Sequence, residues 1–114
     1  MTKLISETFT RLKQKNKKAV IPFLTADFPN RKSFLSLLHE LPHQGADIIE
    51  IGIPFSDPMA DGEVIQKTSL IAIQNGFNLE QCLHDIEHFK SSFPRIPIVI
   101  MSYVNPLIHF GMND

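Results

Sequence analysis

Three short apolar runs, residues 19–25, 48–53 and 98–103, are separated by stretches whose apolar residues recur at helical spacing. This alternation constrains the fold more than any other feature of the chain. The strand runs are nearly continuous in Ile, Val, Phe and Leu rather than alternating with polar residues, which is the mark of parallel strands buried on both faces. Residues 4–15 read as an amphipathic helix, with Leu4, Ile5, Phe9 and Leu12 on one side. Asn30 is placed to cap a second helix, whose buried face is Phe34, Leu35, Leu37, Leu38 and Leu41 and which Pro42 and Gly45 end. Gly62 opens a third helix through Val64, Ile65, Thr68, Leu70, Ile71 and Ile73, and Asn75-Gly76 stops it as a C-terminal cap. Asn78-Leu79-Glu80-Gln81 has the form of a capping box for a fourth helix, with Cys82, Leu83, Ile86 and Phe89 facing inward. The class is α/β. Three strands are too few to close such an architecture, and strand 3 would keep an open apolar edge. Leu107 to Phe110 read as the entry to another βα unit, so the chain is expected to be the front part of a larger protein.

Composition narrows the function. The chain has 114 residues, 43% hydrophobic and 20% charged, which places it among globular rather than disordered chains. A net charge of −1 leaves no electrostatic footprint for nucleic acid or a membrane surface. The one basic run, Lys13 to Lys18, reads as a solvated helix end. Cys82, the single cysteine, cannot form an internal disulfide, has no CxxC partner and reads as a small core residue. With no apolar run of membrane-spanning length and no signal-peptide core, the expected location is the cytoplasm. His39, His43, His84, His88 and His109 form no metal-ligand pattern; His84 and His88 are an i,i+4 pair without a third ligand, and a solvated helix face is the better reading. No metal is expected.

The run from Asp47 to Gly62 carries the chemistry. Glu50 stands in the middle of an isoleucine-rich strand, where an ionised carboxylate is costly to desolvate unless it is partnered or needed. The strand breaks at Ile53-Pro54 into a loop holding Asp57 and Asp61. From strand context alone, a structural acid satisfied by a lysine or by backbone amides and a catalytic acid are equally good readings of Glu50. On local grounds Asp61 reads as a helix N-cap before Gly62-Glu63, Asp57 as a turn residue before Pro58, and Phe23 and Tyr103 as core aromatics at the ends of strands 1 and 3.

Residues 49–66, Ile-Glu-Ile-Gly-Ile-Pro-Phe-Ser-Asp-Pro-Met-Ala-Asp-Gly-Glu-Val-Ile-Gln, closely resemble the signature of the tryptophan synthase alpha chain family. The single departure is Glu63 where proline is usual, and glutamate also suits a helix N-terminus. Ile21-Pro22-Phe23-Leu24-Thr25-Ala26 resembles the family's strand 1, with Asp27 in place of a usual glycine, a change that would stiffen the turn. Gln44-Gly45-Ala46-Asp47 matches its approach to strand 2, and Met101-Ser102-Tyr103-Val104-Asn105-Pro106 its strand 3. The resemblance covers essentially the whole chain.

It implies a TIM (β/α)8 barrel of roughly 250 residues, of which residues 1–114 would be the N-terminal part of a single domain with strands 1–3 and their helices. It implies tryptophan biosynthesis, by retro-aldol cleavage of indole-3-glycerol phosphate to indole and glyceraldehyde 3-phosphate. In that reading Glu50 shuttles protons and Asp61 partners the indole N–H, while Phe23, Met101 and Tyr103 line the indole pocket. The apolar flanks of Glu50 would favour a carboxyl able to hold a proton near neutral pH. Ser56, Asp57, Pro58, Met59, Asn105 and Pro106 become candidates for the interface with a beta chain, in an alpha2-beta2 tetramer. No cofactor is expected in this chain, pyridoxal phosphate belonging to the beta subunit. Two other readings stand beside this one: a truncated, inactive module that only binds a beta-type partner, and a stand-alone indoleglycerol phosphate lyase. The isolated 114 residues, lacking the late phosphate-binding loops, are expected to be inactive.

Overall fold

The structure is a computed structural model that describes residues 2–55 and 62–103. The elements run α1 (Thr2–Gln14), β1 (Phe23–Thr25), α2 (Arg31–Glu40), a 3-10 turn (Leu41–Gln44), β2 (Ile49–Gly52), α3 (Glu63–Gln74), α4 (Leu79–Ser92) and β3 (Ile98–Met101). The three strands form one parallel sheet in the order β1-β2-β3. Parallel strands need long crossovers, which α2 supplies between β1 and β2 and the α3–α4 pair between β2 and β3.

Each strand is shorter than its apolar run, and the chemistry at the ends explains why. Before β1 the chain already runs beside β2: Asp47 N–H donates to the Val20 carbonyl at 2.9 Å and Glu50 N–H to the Pro22 carbonyl at 3.0 Å. Pro22 has no N–H to return, so the regular ladder begins only at Phe23. The Asp47 carboxylate reinforces this approach by accepting from Val20 N–H at 2.8 Å. Ile53 N–H still reaches the Met101 carbonyl at 2.8 Å past the end of β2.

The register divides the sheet into two faces. Leu24, Ile49, Ile51 and Ile98 point to one side, where Phe34 and Leu38 of α2 and Cys82, Ile86 and Phe89 of α4 close a buried core around Ile49 and Ile51. Phe23, Glu50 and Val99 share one rung of the opposite face, and Thr25, Gly52 and Met101 the next. Phe23 and Met101 remain 36% and 48% exposed there. Among the described residues β1 and β3 each pair on one side only.

The caps behave as their chemistry dictates, with one difference. Asn30 Oδ1 accepts from Ser33 N–H at 2.8 Å, and Asn78 Oδ1 from Gln81 N–H at 2.9 Å. The return arm of the expected capping box is absent, because the Gln81 amide turns instead to Asp85 at 3.2 Å. Gly76, at φ 86°, ends α3 in the left-handed conformation that glycine adopts freely. Two faces differ from expectation. In α1, Thr8 is buried and Phe9 is 45% exposed, because the stripe facing the protein runs through Leu4, Thr8 and Leu12. The Thr8 hydroxyl can enter because it donates to the Leu4 carbonyl at 2.8 Å. In α2, Phe34 and Leu38 fill the interface and Leu37 is left 47% exposed, one helical position outside the stripe.

Candidate active site

The C-terminal ends of the three strands, the usual place for ligands in parallel α/β folds, carry an open cavity of about 200 Å3. Phe23 closes one side, and Met101, Ser102 and Tyr103 the other. Gly52 and Ile53 at the end of β2 and Ile65 and Ser69 of α3 complete the lining. Phe23, Met101 and Tyr103 thus meet in one site although 77 or more positions separate the first from the other two. Phe23 and Tyr103, which read locally as core aromatics, both line this cavity, and Phe23 is 36% exposed. Phe55 stacks on Tyr103 with ring centroids 5.5 Å apart and planes at 29°, which extends the aromatic surface.

Gly52 is required by that wall. A Cβ at this position would stand 2.5 Å from Cζ of Phe23, so the absence of a side chain at 52 lets the Phe23 ring lie across the sheet. Glu50 is half-buried on the same face, one rung below, between Phe23 and Val99. It therefore sits beneath the cavity, its position set by the two-residue period of β2.

Residues that the sequence did not single out complete the site. Thr25 is two positions after Phe23 and so shares its face. Its Oγ1 lies 2.8 Å from Oγ1 of Thr68, which in turn donates to the Ile65 carbonyl at 2.9 Å. This pair anchors α3 over β1. The signal for it was the i,i+2 alternation in β1 and the i,i+3/i+4 spacing of Ile65, Thr68 and Ser69. Gly62 occupies the N-cap position of α3, with extended backbone. Glu63, standing where proline is usual, is the first residue of α3 and pairs with Lys67 at 3.3 Å on the surface. Asp61, the interface candidates Ser56, Asp57, Pro58 and Met59, and Asn105 and Pro106 lie outside the described residues. Among the described residues no three His, Cys, Asp or Glu side chains gather as metal ligands, and no helix is long and apolar enough to cross a membrane.

Charge near the site is concentrated just behind β1. Arg31, at the start of α2, grips Asp85 of α4 through Nε at 3.0 Å and Nη2 at 2.8 Å, a bidentate pair that ties the two helices together. Burial pushes the Asp85 carboxyl up, but the hydrogen bonds from Arg31 and Gln81, with the Arg31 charge, outweigh it and hold Asp85 below the usual carboxylate range. Asp27 has no such support. It is 6% exposed, its Oδ1 is buried without a hydrogen-bond partner, and its backbone sits at φ 59°. Burial first, then the Asp85 charge, raise its pKa against the opposing pull of Arg31. The Cys82 thiol beside these acids is pushed up to about 12, chiefly by burial, and is an inert core residue.

The family's usual glycine at position 27 suits this left-handed backbone, and Asp27→Gly is expected to stabilise the protein. The variant relieves a strained L-residue and removes a buried carboxylate with one oxygen left without a partner, together worth about 1–2 kcal/mol after the extra chain entropy of glycine. The gain depends on pH. A carboxyl whose folded pKa is raised is accommodated best below its unfolded pKa, and it loses stability as pH rises through the folded value. The two proteins should therefore differ little in urea unfolding at acid pH and diverge towards neutrality. A constant difference across that range would mean that backbone strain alone is relieved.

A family model described as tryptophan synthase alpha chain matches residues 9–114. The tryptophan synthase alpha chain of Xylella fastidiosa is 46% identical over 108 residues, covering 95% of this chain and 40% of that protein. The chain of the same name from Burkholderia lata is 42% identical over 109 residues, at 96% and 40% coverage. Among solved structures, tryptophan synthase subunit alpha from Legionella pneumophila superposes with a TM-score of 0.90 at 37% identity, covering 95% of this chain and 41% of that one. A tryptophan synthase chain from M. tuberculosis, in an aminoacrylate-bound form, gives 0.86 at 28% identity over 96% of this chain and 44% of its own. This chain thus spans about two fifths of the length of these relatives. Its three parallel strands and their helices are the N-terminal portion of a TIM barrel, and the chain belongs to the tryptophan synthase alpha chain family.

Proposed function

We propose that this protein acts in tryptophan biosynthesis as a lyase of the cytoplasm, cleaving indole-3-glycerol phosphate to indole and glyceraldehyde 3-phosphate. The observation that carries the reading is the meeting of Phe23, Met101 and Tyr103 around one cavity directly above Glu50, on a chain of this family. A cavity walled by aromatic and aliphatic side chains suits an aromatic ring, and a carboxyl on the neighbouring rung suits proton transfer.

The bond to break joins indole C3 to the first carbon of the glycerol chain. An indole carbanion leaves poorly, so C3 must first take a proton and become an indolenine, with positive charge at the ring nitrogen. Asp61 is the fixed anion for that charge. Glu50 moves protons: one is delivered at C3, and one is removed from the hydroxyl of the adjoining carbon as the carbon–carbon bond breaks. The hydroxyl becomes the aldehyde, the bonding pair returns to the ring, and no external oxidant or reductant is needed.

Members of this family carry no pyridoxal phosphate, which belongs to the beta subunit. In the complete protein, residues 56–59 and 105–106 would face a beta chain in an alpha2-beta2 assembly, and indole would pass to it. The test is indole formation by the full-length protein and by its Glu50→Gln and Asp61→Asn variants. Each variant is expected to lose about 10²-fold or more; turnover equal to wild type in either would remove that residue's role. The isolated 114 residues are expected to form no indole at the full-length rate, because binding of the distant phosphate contributes to turnover.

A further inference from the structure

The hydrogen-bond chain from β1 to α3 has a direction, and that direction decides what the cavity can recognise. Thr68 Oγ1 donates to the Ile65 carbonyl at 2.9 Å, and a carbonyl can only accept. The single hydroxyl proton of Thr68 is therefore committed. At the 2.8 Å contact between Thr68 and Thr25, the proton must come from Thr25. Thr25 thus sends its own proton towards α3. Thr25 as a whole is 8% exposed and lines the cavity, and its hydroxyl can offer only lone pairs to whatever occupies that space. Gly52, its partner across the rung, has no side chain to cover it. A hydroxyl free to rotate would accept or donate as required, whereas this one is locked as an acceptor.

We infer that Thr25 is a specificity-determining residue of this site, an obligate acceptor that takes a hydrogen bond from a neutral O–H of the ligand, and that Thr68 is the positioning residue that holds it in that state. This deepens the reading of the cavity given above and rests on it. There the ring N–H is already assigned to Asp61, so the donor left for Thr25 is a hydroxyl of the three-carbon side chain. A ligand presenting a carbonyl, carboxylate or phosphate oxygen at the same point would face lone pair against lone pair and be disfavoured.

Cleavage kinetics of the full-length protein, with Thr25→Val, Thr25→Ser and Thr68→Val, test this. Thr25→Val and Thr68→Val break the same inter-element bond, so a pure latch predicts equal losses from both. Recognition by Thr25 predicts that Thr25→Val lowers kcat/KM about tenfold, that Thr68→Val costs about threefold or less because the Thr25 oxygen remains, and that Thr25→Ser restores most of the activity. Thermal midpoints, expected to fall alike in the two valine variants, separate folding from recognition. Indole supplies the second arm: it has no side-chain hydroxyl, so its affinity should be the same for wild type and Thr25→Val. Equal kinetic losses in the two valine variants, full activity in Thr25→Val, or a matching loss of indole affinity would each overturn the inference. Absence of cleavage by the wild-type protein would remove the proposed activity, and this role with it.

Discussion

Glu50→Gln in the full-length protein is expected to abolish all but about one part in 10² or less of the cleavage rate while leaving the fold intact. Glutamine has nearly the shape of glutamate, and the half-buried slot between Phe23 and Val99 in the β1-β2-β3 rung accepts it without repacking. What it loses is the ability to take up and release a proton at the point beneath the cavity. The loss should fall on kcat rather than KM, because the aromatic wall of Phe23, Met101 and Tyr103, proposed above to hold the indole ring, is untouched. Indole release measured over a substrate series separates the two. A variant with unchanged kcat would leave Glu50 a structural acid, the other reading that strand context allows. A variant with raised KM and unchanged kcat would make it a binding group.

Phe89→Ala is expected to be the most damaging single change to stability, at about 3–5 kcal/mol, a large fraction of the total for a domain. Phe89 is fully buried on α4. Its ring meets His39 of α2 edge-on, with centroids 5.4 Å apart, and Phe93 at 5.0 Å. It belongs to the core that closes over the sheet face of Ile49, Ile51 and Ile98. Truncation leaves a cavity between two helices and a sheet, and none of the three can move in alone to fill it. The control is Leu37→Ala on α2, a leucine that is 47% exposed and should cost well under about 1 kcal/mol beyond helix propensity. Urea midpoints of the two variants measure the contrast. Similar losses would mean that Leu37 is covered in solution.

That contrast shows what kind of information each level holds. Periodicity alone placed Phe34, Leu37 and Leu38 on one face of α2, and Phe9 with Leu4 and Leu12 on one face of α1. A helical wheel cannot decide between neighbours about 100° apart when the partner surface is narrow, so Leu37 and Phe9 fall outside the contact and Thr8 falls inside it. Asp27 is a sharper case. The sequence marks it only as a departure from a usual glycine in a turn, yet its carboxylate is buried behind β1 beside Asp85, where Arg31 draws α2 and α4 together.

The strand order of apolar runs, the caps at Asn30 and Asn78, the left-handed stop at Gly76 and the position of Glu50 in β2 follow from local rules: alternation, side-chain reach and backbone sterics over a few residues. The signature around Glu50 likewise needs no coordinates. Tertiary structure alone decided that Phe23, Met101 and Tyr103 share a cavity, that Ile65 and Ser69 of α3 line it, and that the Thr25 and Thr68 hydroxyls meet. Parallel pairing brings residues to one rung only after a crossover of some 25 to 50 residues, and no local period encodes which rung they reach.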